Sequence, residues 1–90
     1  MKFEWDPAKA RANRIKHDVS FDEAAECFGD PLAIVDDDRR HPDRMVLIGE
    51  SRSCRLVLTV FVDKHTEVIR IISARKATRR ERRAYEEADV

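Results

Sequence analysis

Between residues 32 and 74 the chain repeats one pattern four times, a run of β-branched and aliphatic residues followed by a short polar stretch. The runs are "LAIVD", "MVLIGE", "RLVLTVFV" and "EVIRIISA", and they are separated by "DDRRHPDR", "SRSC" and "DKHT". Strand-forming runs punctuated by turn residues predict an antiparallel meander of four strands. The longest apolar run, Leu56 to Val62, is far too short to span a bilayer, and "MKFEWDPAKA" lacks the apolar stretch of a secretory signal. A cytoplasmic protein with no membrane partner is therefore expected. A chain of 90 residues holds apolar material for one core, so one domain over residues 1–90 is expected.

The flanks read differently. "KFEWD" alternates polar and apolar residues, which suits a short first strand with Phe3 and Trp5 on its buried face. Asp6 and Pro7 are a favoured N-cap and first helical residue, and Ala8, Ala12 and Ile15 fall at helical spacing as an apolar stripe. This helix is expected to end near His17 or Asp18. "SFDE" at 20–23 has the form of a capping box and opens a second, short helix to about Phe28, with Gly29 as the left-handed residue that ends it and Pro31 as the stop. "TRRE" at 78–81 is a second capping box, opening a third helix to about Ala88. The predicted order is βααββββα, an α+β domain with a mostly antiparallel sheet packed with helices. Cys27 and Cys54 lack metal or redox spacing, so each is expected to be a small buried hydrophobe.

Charged residues make up 40% of the chain, yet 18 basic side chains balance 18 acidic ones. The balance conceals a separation. Asp22, Glu23, Glu26, Asp30, Asp36, Asp37 and Asp38 lie in one segment without Lys or Arg. Arg70, Arg75, Lys76, Arg79, Arg80, Arg82 and Arg83 lie in another, opposed only by Glu81. If the segments stay apart in space, the molecule has a cation-attracting and an anion-attracting patch.

On the last strand, simple alternation groups Arg70 with Val68 and Ile72, and groups Ser73 and Arg75 with Ile69 and Ile71. A buried Arg70 needs a carboxylate, for which Glu81 and Glu50 are candidates. The third helix is charged against its own dipole, with Arg79 and Arg80 in its first turn and Glu86, Glu87 and Asp89 at its end. Two explanations stand side by side. Either Arg75, Lys76, Arg79 and Arg80 surround a phosphate at the helix N-terminus, or these cations pair with the acidic 22–38 segment.

"FEWDPAKARANRIKHDVSFDEAAECF" together with "RIISARKATRRERRAYE" resembles the BrnT family of bacterial ribonuclease toxins, whose spaced motifs "WD..K...N..KH" and "R.ISAR.A...ER..YE" both occur. The resemblance runs from Phe3 to about Glu86. It implies a RelE-like fold and a metal-independent endoribonuclease toxin that requires no cofactor. It also implies a BrnA-like ribbon-helix-helix antitoxin, operator DNA bound only through that antitoxin, and a possible dimer of toxin–antitoxin heterodimers. The matching polar positions are Lys16, His17, Arg70, Ser73, Arg75, Glu81, Arg82 and Tyr85. Where the family usually has Gly after the Lys-His pair this chain has Asp18, which can also adopt the left-handed conformation.

RNA is cut without a metal when its 2′-hydroxyl attacks the adjacent phosphorus to leave a 2′,3′-cyclic phosphate. That chemistry needs a base, an acid and cations around the phosphorane, and the first two are worth about 10²–10⁴-fold. His17 is the candidate acid or base, because it alone of the motif side chains titrates near neutral pH; the alternative is a His favoured by the helix C-terminus. Arg75 is the candidate phosphate clamp, with Ser73, Lys76, Arg79 and Arg80 as further RNA-binding residues. Lys16 and Arg70 are candidates to stabilise the transition state, and Glu81 and Tyr85 complete the catalytic set unless they serve as helix cap and core residue. "DDDRRHPD" with His41 is compatible with a carboxylate metal site but equally with a solvated turn, so no metal site is expected. The acidic 22–38 segment either repels RNA or receives basic antitoxin residues. A nucleic-acid-binding or protein-docking module without catalysis remains the alternative.

Overall fold

The computed structural model describes residues 1–88. Strand β1 (Lys2–Glu4) is followed by helices α1 (Pro7–His17) and α2 (Phe21–Glu26), then a single 3₁₀ turn at Cys27–Gly29. Strands β2 (Ile34–Asp37), β3 (Met45–Glu50), β4 (Leu56–Asp63) and β5 (Val68–Lys76) come next, and helix α3 (Arg79–Glu87) closes the chain. Asp89, expected near the end of this helix, lies outside the described residues. No helix among the described residues is long and apolar enough to cross a membrane.

The five strands form one sheet in the order β1-β5-β4-β3-β2. The meander β2 to β5 is antiparallel, as the short connections predict, but β1 joins β5 in parallel, so the sheet is mixed. Helices α1 and α2 cover one face, where Phe21, Val19, Ala24 and Cys27 pack on Leu47, Val57, Phe61, Ile69, Ile71 and Ala74. Phe3 and Trp5 join this core through edge-on ring contacts with Phe28 and Phe21 at 5.1 and 5.8 Å. On the other face Ile48, Leu56 and Leu58 form a smaller cluster under Tyr85 of α3. A Cβ on Gly49 would lie 2.8 Å from the Cys27 carbonyl oxygen, so only glycine lets β3 approach the 3₁₀ turn this closely.

Several local expectations are corrected by packing. The predicted stripe of α1 does not face the core, since Ala8 and Ala12 are exposed and Ile15 is 88% exposed. The residues turned inward are Ala10, Asn13 and His17, with Asn13 only 8% exposed. Its amide donates to the carbonyls of Ala74 (2.8 Å) and Val19 (3.0 Å) and accepts from the Ala74 N–H at 3.1 Å. It thereby serves as the missing neighbour of β5, because β1 pairs only with Val68–Arg70.

Gly29 does not supply a left-handed helix end, for no glycine has positive φ. Asp18 supplies one at the end of α1, with φ 57° and ψ 34°. Cys54 also has positive φ and is exposed in the β3–β4 turn, against expectation, whereas Cys27 is buried and its thiol is pushed up to about 12 by desolvation.

Ser20 caps α2 as expected, accepting from the Glu23 N–H at 3.0 Å, but the Glu23 carboxylate does not return to it. It instead receives the Arg55 Nε (2.9 Å), the Ser51 hydroxyl (2.8 Å) and the Ser53 hydroxyl (3.0 Å), tying α2 to the β3–β4 turn. The Arg55 hydrogen bond is the main reason that Glu23 is held down at about 2 from its ordinary 4.5. With the folded value below the unfolded one, this contribution to stability is complete above pH 4.5 and is lost as pH falls toward 2.

Two outcomes follow for unfolding experiments. Asn13→Ala, which strands the Ala74 amide and carbonyl, is expected to lower stability by about 2–4 kcal/mol in urea denaturation, whereas Ile15→Ala stays within about 0.5 kcal/mol of the parent. Glu23→Gln is expected to lose stability at neutral pH and to flatten the decline between pH 4.5 and 2, read as midpoints across a pH series.

Candidate functional site

An irregularity in β5 sets which side chains face which way. Ile71 pairs with Phe61 and Ser73 with Val60, so Ile72 is an extra residue opposite one step of β4. A bulge of one residue inverts the alternation beyond it. Ile69 and Ile71 point to α1 and α2, but Ser73 and Arg75 lie with Arg70 on the opposite face, correcting the grouping expected from strict alternation.

Arg70, Ser73 and Arg75 thus share a face only because β5 is irregular. Arg70 takes Glu4 as its carboxylate at 2.6 Å, not Glu81 or Glu50, because Glu4 is its direct partner across the β1–β5 ladder. That hydrogen bond is the first cause holding the Glu4 carboxyl below its usual range.

Helix α3 covers one end of this face and leaves the rest open as a cleft of about 410 Å³. Its floor is apolar, from Val46, Leu58 and Val60. Along one side stand Ser73 and Arg75 of β5 with His17 from the end of α1. His17 is half-buried, and its side chain makes no hydrogen bond among the described residues. Asp38 and Arg40 from the β2–β3 connection stand on the other side.

Behind His17 a smaller hollow of about 260 Å³ is bordered by Lys16, Asn13, Ile72 and Ser73, so Lys16 lies next to the cleft but not in it. The position of His17 follows from Asn13, one helical turn earlier, whose amide fixes the end of α1 to the backbone of Ala74.

Arg75 is not a free cation. Its two terminal nitrogens bind the two oxygens of Glu81 at 2.7 and 2.8 Å, a bidentate pair that raises the Arg75 pKa and holds Glu81 below its usual range. Glu81 Oε1, which binds Arg75 at 2.7 Å, also accepts from the Thr78 N–H at 2.9 Å while the Thr78 hydroxyl accepts from the Glu81 N–H, so the predicted capping box is present in both halves. The anion at the N-terminus of α3 is therefore the chain's own carboxylate.

Arg79 and Arg80 are exposed on the first turn and do not line the cleft, and Lys76 is directed to Asp18 at 3.9 Å. The described basic residues from 70 to 83 form no salt bridge with the acidic 22–38 segment; Glu4, Glu81 and Asp18 are their partners. Tyr85 packs on the Ile48, Leu56 and Leu58 cluster and donates to Asp30 at 2.6 Å, and it does not line the cleft. Burial tends to raise the Asp30 pKa, but hydrogen bonds from Tyr85 and the amides of Glu50 and Leu32 outweigh it, and the net shift is downward.

His41 is exposed in the β2–β3 connection, and no group of three or more His, Cys, Asp or Glu among the described residues is placed to hold a metal. Asn13, Asp38 and Arg40 are cleft or supporting residues that were not expected at the site, although Asp38 and Arg40 lie in the charged run "DDDRRHPD". The signals were present: an Asn inside the helix and its motif, and an eight-residue polar run, "DDRRHPDR", longer than a tight hairpin needs.

Residues 5–81 match the family model described as "Ribonuclease toxin, BrnT, of type II toxin-antitoxin system". Among solved structures, the 1.1 Å crystal structure of the Brucella abortus ribonuclease toxin BrnT is similar with a TM-score of 0.72 and 27% identity, over 88% of this chain and 99% of that one. No curated protein matches the sequence.

Glu81→Ala, which removes both the helix cap and the counter-charge of Arg75, is expected to lower stability by about 2–3 kcal/mol. Glu81→Gln, whose amide oxygen still accepts from Thr78, is expected to lower it less; chemical denaturation of the two variants beside the parent measures the difference.

Proposed function

The chain belongs to the BrnT family of ribonuclease toxins of type II toxin–antitoxin systems, and from that premise we propose that it is an endoribonuclease that cuts RNA in the cleft between His17, Ser73 and Arg75. The observation that carries this reading is the convergence of one imidazole and one anchored guanidinium on a single open apolar-floored cleft. No hydrogen bond of its side chain accounts for the place of His17 there, since it makes none among the described residues.

In the proposed reaction His17 takes the proton from the 2′-hydroxyl, and the 2′-oxygen attacks phosphorus. The bond to the 5′-oxygen then breaks and that oxygen takes a proton from water, while His17 returns its proton to solvent, leaving a 2′,3′-cyclic phosphate and a 5′-hydroxyl. Arg75 neutralises charge on the phosphorane oxygens, and Glu81 fixes its guanidinium plane before substrate arrives, which is the condition for electrostatic stabilisation without reorganisation. Ser73 offers a hydroxyl to a non-bridging oxygen. Lys16, beside His17, adds positive charge from the adjoining hollow.

Arg70 and Tyr85 are assigned supporting roles through Glu4 and Asp30, and Lys76, Arg79 and Arg80 contribute long-range attraction of RNA. All of this chemistry proceeds without a metal or cofactor. The proposed partner is a cognate BrnA-like antitoxin of the ribbon-helix-helix class, through which alone the complex would bind operator DNA.

Purified protein incubated with RNA in EDTA is expected to yield fragments ending in 2′,3′-cyclic phosphate. His17→Ala and Arg75→Ala are each expected to lower the cleavage rate at least about 100-fold while unfolding cooperatively. A well-folded parent protein that binds RNA without producing cyclic phosphate would leave a binding module instead.

A further inference from the structure

Two guanidiniums border the cleft, and they differ in availability. Arg75 is held by both oxygens of Glu81, whereas Arg40 on the opposite side has no carboxylate partner among the described residues. Three hydrogen bonds shape the backbone that carries Arg40. The Asp38 carboxylate accepts from the Arg40 N–H at 2.9 Å, the Asp38 carbonyl accepts from the His41 N–H at 3.3 Å, and the Asp38 N–H donates to the Arg44 carbonyl at 3.1 Å. Asp38, the one carboxylate that lines the cleft among the described residues, is thus turned into its own loop, where it holds the turn that presents Arg40.

Between the two cations lies the apolar floor of Val46, Leu58 and Val60. An apolar floor with a guanidinium at either side suits an unstacked base with phosphates on either side, the form in which single-stranded RNA is recognised and a duplex is not.

We propose that Arg40 is a substrate-binding residue that anchors a phosphate next to the cleaved bond of single-stranded RNA, so that the intervening base rests on the Val46, Leu58 and Val60 floor. The inference rests on the RNA-cleavage reading of this cleft and adds to it a subsite on the β2–β3 connection. Arg40 acts in binding and Arg75 at the reacting phosphate. Loss of Arg40 therefore weakens ground state and transition state alike, which appears in KM and not in kcat.

The test uses a short RNA with 2′-O-methyl groups, which cannot supply the attacking hydroxyl, so that affinity is measured apart from cleavage. Arg40→Ala is expected to raise its Kd about tenfold and to reduce the dependence of log Kd on log salt by about 0.7, the value of one single-strand phosphate contact. On cleavable RNA the same variant is expected to raise KM by a similar factor with kcat within about twofold. Arg39→Ala, an exposed neighbour outside the cleft, is the control and is expected to change neither quantity.

An Arg40→Ala protein indistinguishable from Arg39→Ala in Kd and KM overturns the proposal while leaving cleavage by the parent intact. Equal affinity of the parent for the single strand and for its duplex overturns the placement of a base on the floor. If the parent forms no cyclic phosphate but Arg40→Ala still weakens binding, the cleavage reading fails and the Arg40 contact stands.

Discussion

The side-chain amide of Asn13 holds the two halves of this molecule in register. Beyond Arg70, strand β5 has no neighbour on the β1 side, and the N–H and C=O of Ala74 face the end of α1. A buried backbone amide and carbonyl must both be satisfied, and an Asn or Gln side chain offers a donor and an acceptor in one planar group. Asn13 satisfies both, and its remaining N–H reaches the Val19 carbonyl after the left-handed turn at Asp18. Helix orientation, the path into α2 and the placement of His17 beside Ser73 all follow from that group. A larger apolar face on α1 would have buried more surface, but it would have left the edge of β5 unpaired.

Electrostatics follows the same local logic. Although the sequence separates its acids and bases into two long segments, the ion pairs in the structure join near neighbours in the fold: Glu23 with Arg55, Glu4 with Arg70, and Glu81 with Arg75. Each of these carboxylates lies below its usual pKa range because of its Arg partner. Such partly exposed pairs contribute modestly to stability, but a bidentate pair orients a guanidinium closely, and orientation is what a phosphate site requires. Glu81 does two jobs with one carboxylate, ending the orphan amide at Thr78 and aligning Arg75. Arg40, by contrast, forms no ion pair among the described residues at the opposite side of the cleft.

Strands, caps and most element boundaries were legible in the sequence because their causes are local. Met45–Glu50 is the run "MVLIGE" itself, Thr78 and Glu81 form the box their spacing predicts, and Asp6, Ser20 and Asp18 cap the helices. The motif residues His17, Ser73 and Arg75 were visible as well, and they meet on one cleft. Other readings failed where a distant partner changed the balance. Ile15 faces outward because Asn13 is needed at the β5 edge, Glu23 leaves its box for Arg55 and two serines, and Arg70 finds Glu4, sixty-six residues away in sequence.

Periodicity, propensity and capping act over a few residues, so the order βααββββα and the identity of the polar motif positions can be read along the chain. The face on which those positions lie cannot. It depends on the bulge at Ile72, on the parallel pairing of β1 that stops at Arg70, and on a seven-residue connection folding back to set Arg40 opposite Arg75. Each of these arises from hydrogen bonds and packing between segments far apart in sequence, whose energies no local pattern contains.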